Sequence, residues 1–228
     1  MIDIHTHVLP FVDDGCASLE ESVALVSELF NKGVTDIVCT PHYSGKFKAT
    51  KSDITENILK LSNVLKEKGI DVNLYYGREV FMGRTALKEM QPFSEFTLNG
   101  TDFALIEFSF NDFTEICEYV YSLVLKGIKP IVAHFERYTY ADLNTALEVK
   151  RIGGHVSINA SSLFPFNSNR RRALRLLNNG VVDFIASDAH FGRKIAMDKA
   201  YNMVKRKFGE RGADVLFNLN AELIIKGK

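Results

Sequence analysis

Short runs of β-branched and apolar residues alternate along the chain with longer stretches in which apolar residues recur at helical spacing. Each short run predicts a buried strand, and each longer stretch predicts a helix with one apolar face. Because helices separate the strands, the pattern indicates an α/β protein with a parallel sheet or a closed barrel. The seven predicted strands are Ile2–Ile4, Val34–His42, Asp71–Tyr76, Phe103–Phe108, Lys129–His134, His155–Asn159 and Val182–Asp188.

Helical stretches fill the intervals between these strands. The first helix begins at Ser18, since Glu21 stands three residues later at the spacing of a capping box, and Gly33 ends it. No repeat or linker interrupts the series, so one domain is predicted over residues 1–228. The other helices are predicted at Ser52–Lys68, Arg84–Met90, Glu115–Lys126, Asp142–Ile152 and Arg170–Asn178.

Composition excludes several classes of protein. Apolar residues make up 46% of the 228 residues, which is enough for a substantial core and argues against disorder. Lys plus Arg and Asp plus Glu number 28 each, and this neutral balance argues against a protein that coats nucleic acid or an anionic membrane. The sequence contains neither an apolar run long enough to span a bilayer nor a secretory signal, so we expect a cytoplasmic protein without membrane insertion.

The three cysteines give no sign of a disulfide framework or a zinc–thiolate site, because their number is odd and no C-x-x-C spacing occurs. A cysteine-based phosphatase is also excluded. That chemistry needs an arginine six residues after the cysteine, in a loop that holds phosphate beside a low-pKa thiolate. The residues six positions after Cys16, Cys39 and Cys117 are Ser22, Gly45 and Leu123.

Histidines and carboxylates gather where the predicted strands end. The carboxyl ends of parallel strands share one rim, and α/β proteins carry their functional residues there. Of six histidines only His155, at the start of a strand, departs from this arrangement. A single histidine at the end of an element is commonly a satisfied polar group, but nine such residues on one rim favour a metal centre. The nine are His5, His7, Asp14, His42, Glu79, Glu107, His134, Asp188 and His190.

The types of ligand restrict the metal. Imidazole and carboxylate groups without thiolate suit zinc, manganese or iron. His5 and His7 alternate along a strand, so both side chains point to one face and can share an ion. Nine ligands are too many for one ion, and a cluster of two or three ions is therefore predicted, with Glu79 as a bridging carboxylate. Closely spaced ions are suited to clamping the oxygens of a transferring phosphoryl group.

Six short motifs carry a resemblance to a known family. "DIHTH", "TPH", "GRE", "IEF", "AHFERY" and "ASDAH" occur in the order and roughly the spacing of the PHP (polymerase and histidinol phosphatase) superfamily. "VDDG", "ALIEFSF" and the His-x-Glu-Arg-Tyr motif resemble more closely its bacterial protein-tyrosine phosphatases of the CpsB/YwqE type. The resemblance covers essentially the full chain, including the closing "FNLNAELII". It implies a distorted, TIM-barrel-like (β/α)7 barrel of seven strands.

The same resemblance implies an activity and a metal. The activity is hydrolysis of phosphotyrosine in proteins, with a bacterial tyrosine kinase that regulates capsule or exopolysaccharide synthesis as the substrate. The implied cofactor is manganese, up to three ions, with iron or zinc as alternatives. Carried over by motif, the first ion is bound by His5, His7, Glu79 and Asp188, the second by Glu79, Glu107 and His134, and the third by Asp14, His42 and His190.

Two arginines match family positions that contact the phosphate. Arg137 in "AHFERY" would be a bidentate donor to the phosphate, with an ion pair to a neighbouring carboxylate as the alternative. Arg193 matches less closely, because the interval after His190 is short, and Lys194 could take its place. Asp13 is expected to support a ligand through a hydrogen bond rather than to bind an ion.

Two further groups of residues have open interpretations. The basic stretch Asn169–Arg175 is expected to be a solvated helix face, with electrostatic guidance of an acidic substrate as the alternative. Four aromatic residues are candidates either for an apolar wall around a substrate ring or for core packing: Tyr43, Phe47, Phe164 and Phe166.

Other functions remain open at this point. A histidinol-phosphate phosphatase of the same superfamily differs in the segments around Asp14 and Glu107. A TatD-like nuclease or an amidohydrolase shares H-x-H and the aspartate of the last strand, but not the full third set of ligands. A metal-stabilised domain that only docks a kinase would be expected to have lost ligands, and this chain keeps them. No oligomeric state is predicted.

Overall fold

Parallel strands form two hydrogen-bonded sheets in the computed structural model of the chain, which describes residues 1–83 and 85–226. The strands in this part of the chain are β1 (Ile2–Thr6), β2 (Asp36–Cys39), β3 (His42–Tyr43), β4 (Asn73–Tyr76), β5 (Glu79–Phe81), β6 (Phe103–Glu107), β7 (Lys129–Val132), β8 (His155–Asn159) and β9 (Phe184–Ala186). One sheet has the order β1-β2-β4 and the other the order β3-β5-β6-β7-β8-β9. An isolated parallel bridge between Thr6 and Ala189 joins β1 to the segment after β9. The predicted α/β fold with parallel sheets is confirmed.

Helices follow most of the strands, as the sequence pattern predicts. The first is capped as expected, since the Ser18 side chain accepts a hydrogen bond from the Glu21 backbone N–H. The predicted helix at Arg84–Met90 begins at a residue that lies outside the described part of the chain, and the structure has a helix at Ala86–Glu89. The helices are α1 (Leu19–Asn31), α2 (Lys51–Glu67), α3 (Ala86–Glu89), α4 (Ile116–Val124), α5 (Leu143–Arg151), α6 (Arg170–Asn178), α7 (Met197–Asp214) and α8 (Asn220–Ile225).

The strands differ from the prediction in one region. The single strand predicted at Val34–His42 is divided into β2 and β3, which belong to different sheets. Thr40 lies at the break and exchanges backbone and side-chain hydrogen bonds with Thr6, and Pro41 after it has no N–H to offer a ladder. The short strand β5, in a stretch predicted to be irregular, pairs with β3 and β6. The closed barrel of seven strands stays a prediction.

A small apolar cluster lies beneath the strands' carboxyl ends. Ile2, Phe103 and Phe184 stand at or near the first residues of their strands, and Ala221 and Ile224 of α8 pack against them. The larger core lies between the sheets and the surrounding helices. No helix in the described ranges has the length and apolar character needed to cross a bilayer. The small apolar cluster thus lies toward the first residues of the strands, and the carboxyl ends of the strands are the polar side of the fold.

Candidate metal centre

The structure brings all nine predicted ligands together at the carboxyl ends of the strands. Each has a nitrogen or oxygen atom within 3.6 Å of a ligand atom of another member of the set. They come from the strands and the segments that follow them. His42 and Glu79 are the first residues of the short strands β3 and β5, which follow β2 and β4 along the chain. All but Asp14 and His42 are buried: His5, His7, Glu79, Glu107, His134, Asp188 and His190.

Four of these side chains converge on one point. His5 Nε2 lies 3.2 Å from His7 Nε2, 3.2 Å from Glu79 Oε2 and 3.6 Å from Asp188 Oδ1. His7 Nε2 lies 3.3 Å from Glu79 Oε2 and 3.5 Å from Asp188 Oδ1. Ligands about 2.1 Å from one ion lie about 3.0 Å apart at adjacent corners of an octahedron and about 3.4 Å apart in a tetrahedron. The spacing therefore fits four ligands around one cation.

Glu79 lies between this group and a second one. Its Oε1 is 2.9 Å from His134 Nε2, which is in turn 3.4 Å from Glu107 Oε1. Its Oε2 lies within 3.3 Å of nitrogens of His5, His7 and His42, yet among the described residues this buried oxygen has no partner in hydrogen-bond geometry. Nitrogens that converge on an oxygen without hydrogen-bonding to it are arranged as ligands of shared cations. The donor set thus fits a bridging carboxylate.

A third group opens toward solvent. Asp14 Oδ1 is 3.6 Å from His42 Nε2 and 3.6 Å from His190 Nε2. The side chain of Asp14 is 49% exposed, in contrast to the buried carboxylates of the other two groups. His7 also lies within reach, since ligand atoms of all four residues are within 4.8 Å of one another. This group is therefore the part of the centre that faces solvent.

Partners on the far side of the imidazoles fix which nitrogen faces the centre. His7 Nδ1 is 2.6 Å from Asp13 Oδ2, so its N–H donates to the carboxylate and Nε2 is left for an ion. Asp13 also accepts from the backbone N–H groups of Gly15 and His42, the supporting role expected of it. Gly15 is required there, because a Cβ would lie 2.1 Å from the His7 carbonyl oxygen. His190 Nδ1 similarly lies 3.0 Å from the Asp188 carbonyl oxygen.

Backbone irregularities position several of these side chains. His134 and Asp188 have left-handed backbone conformations, with φ of 33° and 52°. Non-glycine residues in this region carry strain and concentrate at functional sites. The register of β1 against β2 shifts between Asp3 and Thr6, a bulge that changes where the following side chains point. Neither feature has a local sequence signal such as glycine.

The charges of the centre shift the pKa values of its members. Burial tends to lower the pKa of His134, but hydrogen bonds to the carboxylates of Glu107 and Glu79 outweigh it and raise the pKa to about 10. Burial tends to raise the pKa of Asp188, but His5, His134 and His7 lower it to about 2. Burial and the neighbouring positive charge of His7 lower the pKa of His190 to about 4. Such divergent shifts are typical of functional sites.

The predicted phosphate-binding residues line a polar pocket beside the centre. Arg137 Nη1 lies 3.4 Å from Asp188 Oδ2, and its guanidinium stacks 4.0 Å from the centre of the Phe110 ring. Arg193 and Lys194 line the same pocket of about 180 Å³. Arg137 therefore makes the ion pair that was the alternative considered for it, and it also lines the pocket; its contact with phosphate stays a prediction.

Several supporting residues were not assigned a role from the sequence. Asn159 donates from Nδ2 to Asp188 Oδ2 at 2.9 Å, and Tyr138 Oη lies 3.3 Å from His134 Nδ1. Asp3 accepts from the Ser187 backbone N–H, and burial raises its pKa to about 6. Only the position of Asn159 at a strand end offered a signal.

The basic stretch of α6 is not simply a solvated face. Arg172 donates from Nε to the carbonyl oxygen of Glu136 at 2.8 Å, and from Nη2 to those of Tyr138 and Ala141. Arg170 Nε donates to the Leu163 carbonyl oxygen. Arg172 thus fastens α6 to the segment that carries His134 and Arg137.

The remaining sequence candidates divide between packing and exposure. Tyr43 packs edge-on against Phe96, whereas Phe47 stacks on His42 with ring centres 5.8 Å apart. Phe166 is fully exposed. Burial raises the pKa of all three cysteine thiols, that of Cys16 to about 11, which agrees with the exclusion of a cysteine nucleophile.

Solved structures place this fold in a class. Histidinol phosphate phosphatase from Lactococcus lactis, solved with zinc, L-histidinol and phosphate, matches with a TM-score of 0.57 at 13% identity, over 94% of this chain and 95% of its own. At that identity the likeness concerns the fold alone. The fold and the gathered imidazole and carboxylate groups define an α/β protein of the metal-dependent hydrolase type. Within that class the chain belongs to the CpsB/CapC family of capsular polysaccharide synthesis, whose family model matches residues 1–226.

Relatives in this family are similar over their full length. Tyrosine-protein phosphatase CpsB from Streptococcus pneumoniae is 34% identical over 238 residues, which cover 99% of this chain and 98% of that protein. A crystal structure from work on YwqE of Bacillus subtilis and CpsB of Streptococcus pneumoniae, described as unique metal-dependent tyrosine phosphatases, matches with a TM-score of 0.92. It is 28% identical and covers 100% of this chain and 95% of the other. The resemblance recognised in the sequence is confirmed.

Proposed function

We propose that the protein is a metal-dependent phosphatase that hydrolyses phosphotyrosine in proteins. The observation that carries this proposal is the position of Glu79, whose two oxygens face separate groups of ligands at distances suited to shared cations. The relatives named as tyrosine-protein phosphatases support the substrate class. We further propose manganese as the cofactor, up to three ions, with iron or zinc as alternatives, because all the ligands are imidazoles or carboxylates.

The ligands divide into three sets under this proposal. His5, His7, Glu79 and Asp188 hold the first ion, Glu79, Glu107 and His134 the second, and Asp14, His42 and His190 the third. When bound, the ions supply Lewis acidity and positive charge for the transfer of the phosphoryl group from the tyrosyl oxygen to water. The half-exposed Asp14 marks the side from which substrate arrives.

The arginines orient the phosphate in this proposal. Arg137 lies over the Phe110 ring, with Cζ 4.0 Å from the ring centre, and it lines the pocket. A guanidinium in this position matches two phosphate oxygens at once and stabilises negative charge that develops on them. Arg193 lines the same pocket with Lys194, and we propose Arg193 as the second donor.

The wider assignments are proposals on the same basis. We propose that residues 1–228 form one domain and that the bridge between Thr6 and Ala189 supports closure of a seven-stranded barrel. We propose a cytoplasmic protein that acts on a bacterial tyrosine kinase, in line with the family's link to capsular polysaccharide synthesis. The neutral net charge agrees with a protein rather than a nucleic acid as the substrate.

A comparison of substrates tests the proposal. Purified protein loaded with Mn²⁺ is assayed against p-nitrophenyl phosphate, a phosphotyrosine peptide and histidinol phosphate, with the Glu79→Gln variant as control. We expect turnover of the first two and a loss of at least a hundredfold in the variant. No turnover of the peptide by protein shown to contain metal would contradict the proposal, and preferential turnover of histidinol phosphate would favour the alternative phosphatase.

A further inference from the structure

A continuous groove leads away from the metal centre. The polar pocket beside Asp188 shares Ser161, Asn167 and Lys194 with an apolar pocket of about 430 Å³. The apolar pocket is lined by Phe164, Pro165, Phe166, Ala196 and Lys199 in addition. We call the two pockets together the side groove. It begins at a candidate metal ligand and ends against an aromatic residue, so a ligand at the centre can continue into it.

Phe166 is displayed in a way that a free protein does not favour. Its side chain is fully exposed, and its backbone has a φ of 69°, the left-handed region that bulky residues rarely adopt. Such strain persists only where the surroundings impose it. Here the Asn167 backbone N–H bonds to the Phe164 carbonyl oxygen, and the Asn167 amide bonds to the Ser161 carbonyl oxygen. The loop is therefore braced with the aromatic ring turned outward.

The groove is positively charged although the protein is neutral. Among the described residues, Arg137, Arg193, Lys194 and Lys199 line it, together with one carboxylate, that of Asp188. The formal net charge of the whole chain is zero, so this concentration of cations is a local property. Lys194 stands where the polar and apolar pockets meet. This order of features suits a segment with an anionic group followed by an apolar side chain.

We propose that the side groove binds the polypeptide that carries the phosphotyrosine, with an apolar or aromatic substrate side chain packed on Phe166 and an acidic one near Lys194. The inference rests on the proposed phosphatase function and adds to it a preference for particular residues next to the phosphotyrosine. Continuity with the metal centre and the positive charge together select an anionic peptide as the occupant. A small aryl phosphate lacks the flanking side chains that such a peptide would place in the groove.

A peptide series tests the preference. Phosphotyrosine is placed in an alanine background, leucine or phenylalanine is moved through the three positions on each side, and each peptide is made with and without an intervening glutamate. We expect at least one apolar position to raise kcat/KM about tenfold over the alanine peptide, the size of one aromatic contact. We expect glutamate to raise it further at low salt. Equal kcat/KM values across the series would overturn the proposal.

Variants connect the preference to Phe166. Phe166→Asn removes the ring and keeps a residue that tolerates the left-handed backbone, while Phe166→Tyr retains an aromatic ring. Phe208→Asn is the matched control, since Phe208 is also exposed, at 41%, but lies in α7 outside the groove. The quantity compared is kcat/KM for the peptide divided by kcat/KM for p-nitrophenyl phosphate. We expect Phe166→Asn to lower this ratio about tenfold, and Phe166→Tyr and the control Phe208→Asn to leave it unchanged. An equal effect of Phe208→Asn contradicts the proposal.

Binding separates this inference from the proposed function. Fluorescence anisotropy of a labelled phosphotyrosine peptide measures binding of the peptide to the groove independently of its hydrolysis. Binding that depends on Phe166 in a protein without phosphatase activity would retain the groove and reject the function. Turnover and binding that both ignore Phe166 would reject the groove and retain the function. The last measurement is binding to vesicles of phosphatidylcholine and phosphatidylglycerol. If Phe166→Asn loses vesicle binding but still binds the peptide, the groove is a membrane-binding surface and the proposal is overturned.

Discussion

Substitution of Asp13 should weaken metal binding although Asp13 is not proposed as a ligand. Its carboxylate accepts three hydrogen bonds, from His7 Nδ1 at 2.6 Å and from the backbone N–H groups of Gly15 and His42 at 3.0 Å each. The first holds the imidazole with Nε2 toward the centre, and the others hold the loop against it. Groups that orient a ligand in this way contribute about 10- to 100-fold to metal affinity.

The size of the effect depends on the replacement. In Asp13→Asn the side-chain oxygen still accepts from His7, but the charge that strengthens the bond is lost, so we expect affinity about tenfold lower, or about 1.4 kcal/mol. In Asp13→Ala all three acceptor contacts are lost and the His7 ring is free to turn. We expect that variant to bind about 100-fold more weakly, or about 2.7 kcal/mol.

Competition with a fluorescent chelator at neutral pH measures the affinity for Mn²⁺ and Zn²⁺. Asp142→Asn is the control, because Asp142 also accepts a backbone hydrogen bond, from Thr145 at 3.0 Å, but caps α5 away from the centre. The reasoning is refuted if both Asp13 variants bind metal like the unmodified protein. It is also refuted if Asp142→Asn weakens binding equally, since the effect would then be a general loss of stability.

Three further substitutions test the loop, an ion pair and the basic helix. Gly15→Ala should cost about 1–3 kcal/mol of stability and weaken metal binding, because its Cβ would overlap the His7 backbone. In the control Gly45→Ala the Cβ enters open space among the described residues, so neither change is expected. Urea unfolding measures the stability, and the chelator competition measures metal binding. In Asp183→Asn, the pKa of the native carboxyl matters: burial raises it, but His155 and Lys150 outweigh this and hold it below its usual value. The ionised Asp183 therefore stabilises the fold fully above the unfolded pKa of about 3.9, and this contribution is lost as the pH falls through the lower native pKa. Urea unfolding should find Asp183→Asn less stable than the unmodified protein at pH 7, with a difference that shrinks below about pH 4. Arg172→Leu should cost about 1–3 kcal/mol by leaving backbone carbonyls without their donor, and the exposed neighbour Arg171 supplies the control Arg171→Leu, for which we expect no change beyond about 0.5 kcal/mol.

The gathering of the ligands could be predicted because it depends on two simple regularities. Strand ends can be read from the apolar pattern, and parallel strands place those ends on one rim. His134, for example, ends the predicted strand and lies two residues after β7 in the structure, although it is 55 residues from Glu79, its partner at 2.9 Å. Topology supplied the proximity that sequence distance concealed. The alternation of His5 and His7 needed only the period of a strand.

Apart from those of Asp13, the supporting contacts could not be predicted, because their partners are distant in sequence and several of them are backbone groups. Arg172 stands in a run of arginines that looks like a solvated face, and its acceptors are carbonyl groups more than 30 residues earlier. Asn159 reaches Asp188 across 29 residues. A side chain that bonds to a main-chain carbonyl puts no constraint on the identity of the acceptor residue. Such contacts therefore appear only when the fold is known.

Burial of charge and backbone strain at the centre oppose folding, and the contacts between histidines and carboxylates offset part of that cost. Glu79 and Asp188 are buried carboxylates, and imidazole nitrogens at Glu79 Oε2 stand at ligand distances without hydrogen bonds to it. His134 and Asp188 add backbone strain of about 1–3 kcal/mol each. Bound cations offset these terms, because ligand binding to the native state alone stabilises it, by about 2.7 kcal/mol at a hundredfold excess over Kd. The contacts of Asp13, Asn159 and Arg172 therefore hold the centre in place together with the apolar cluster beneath it.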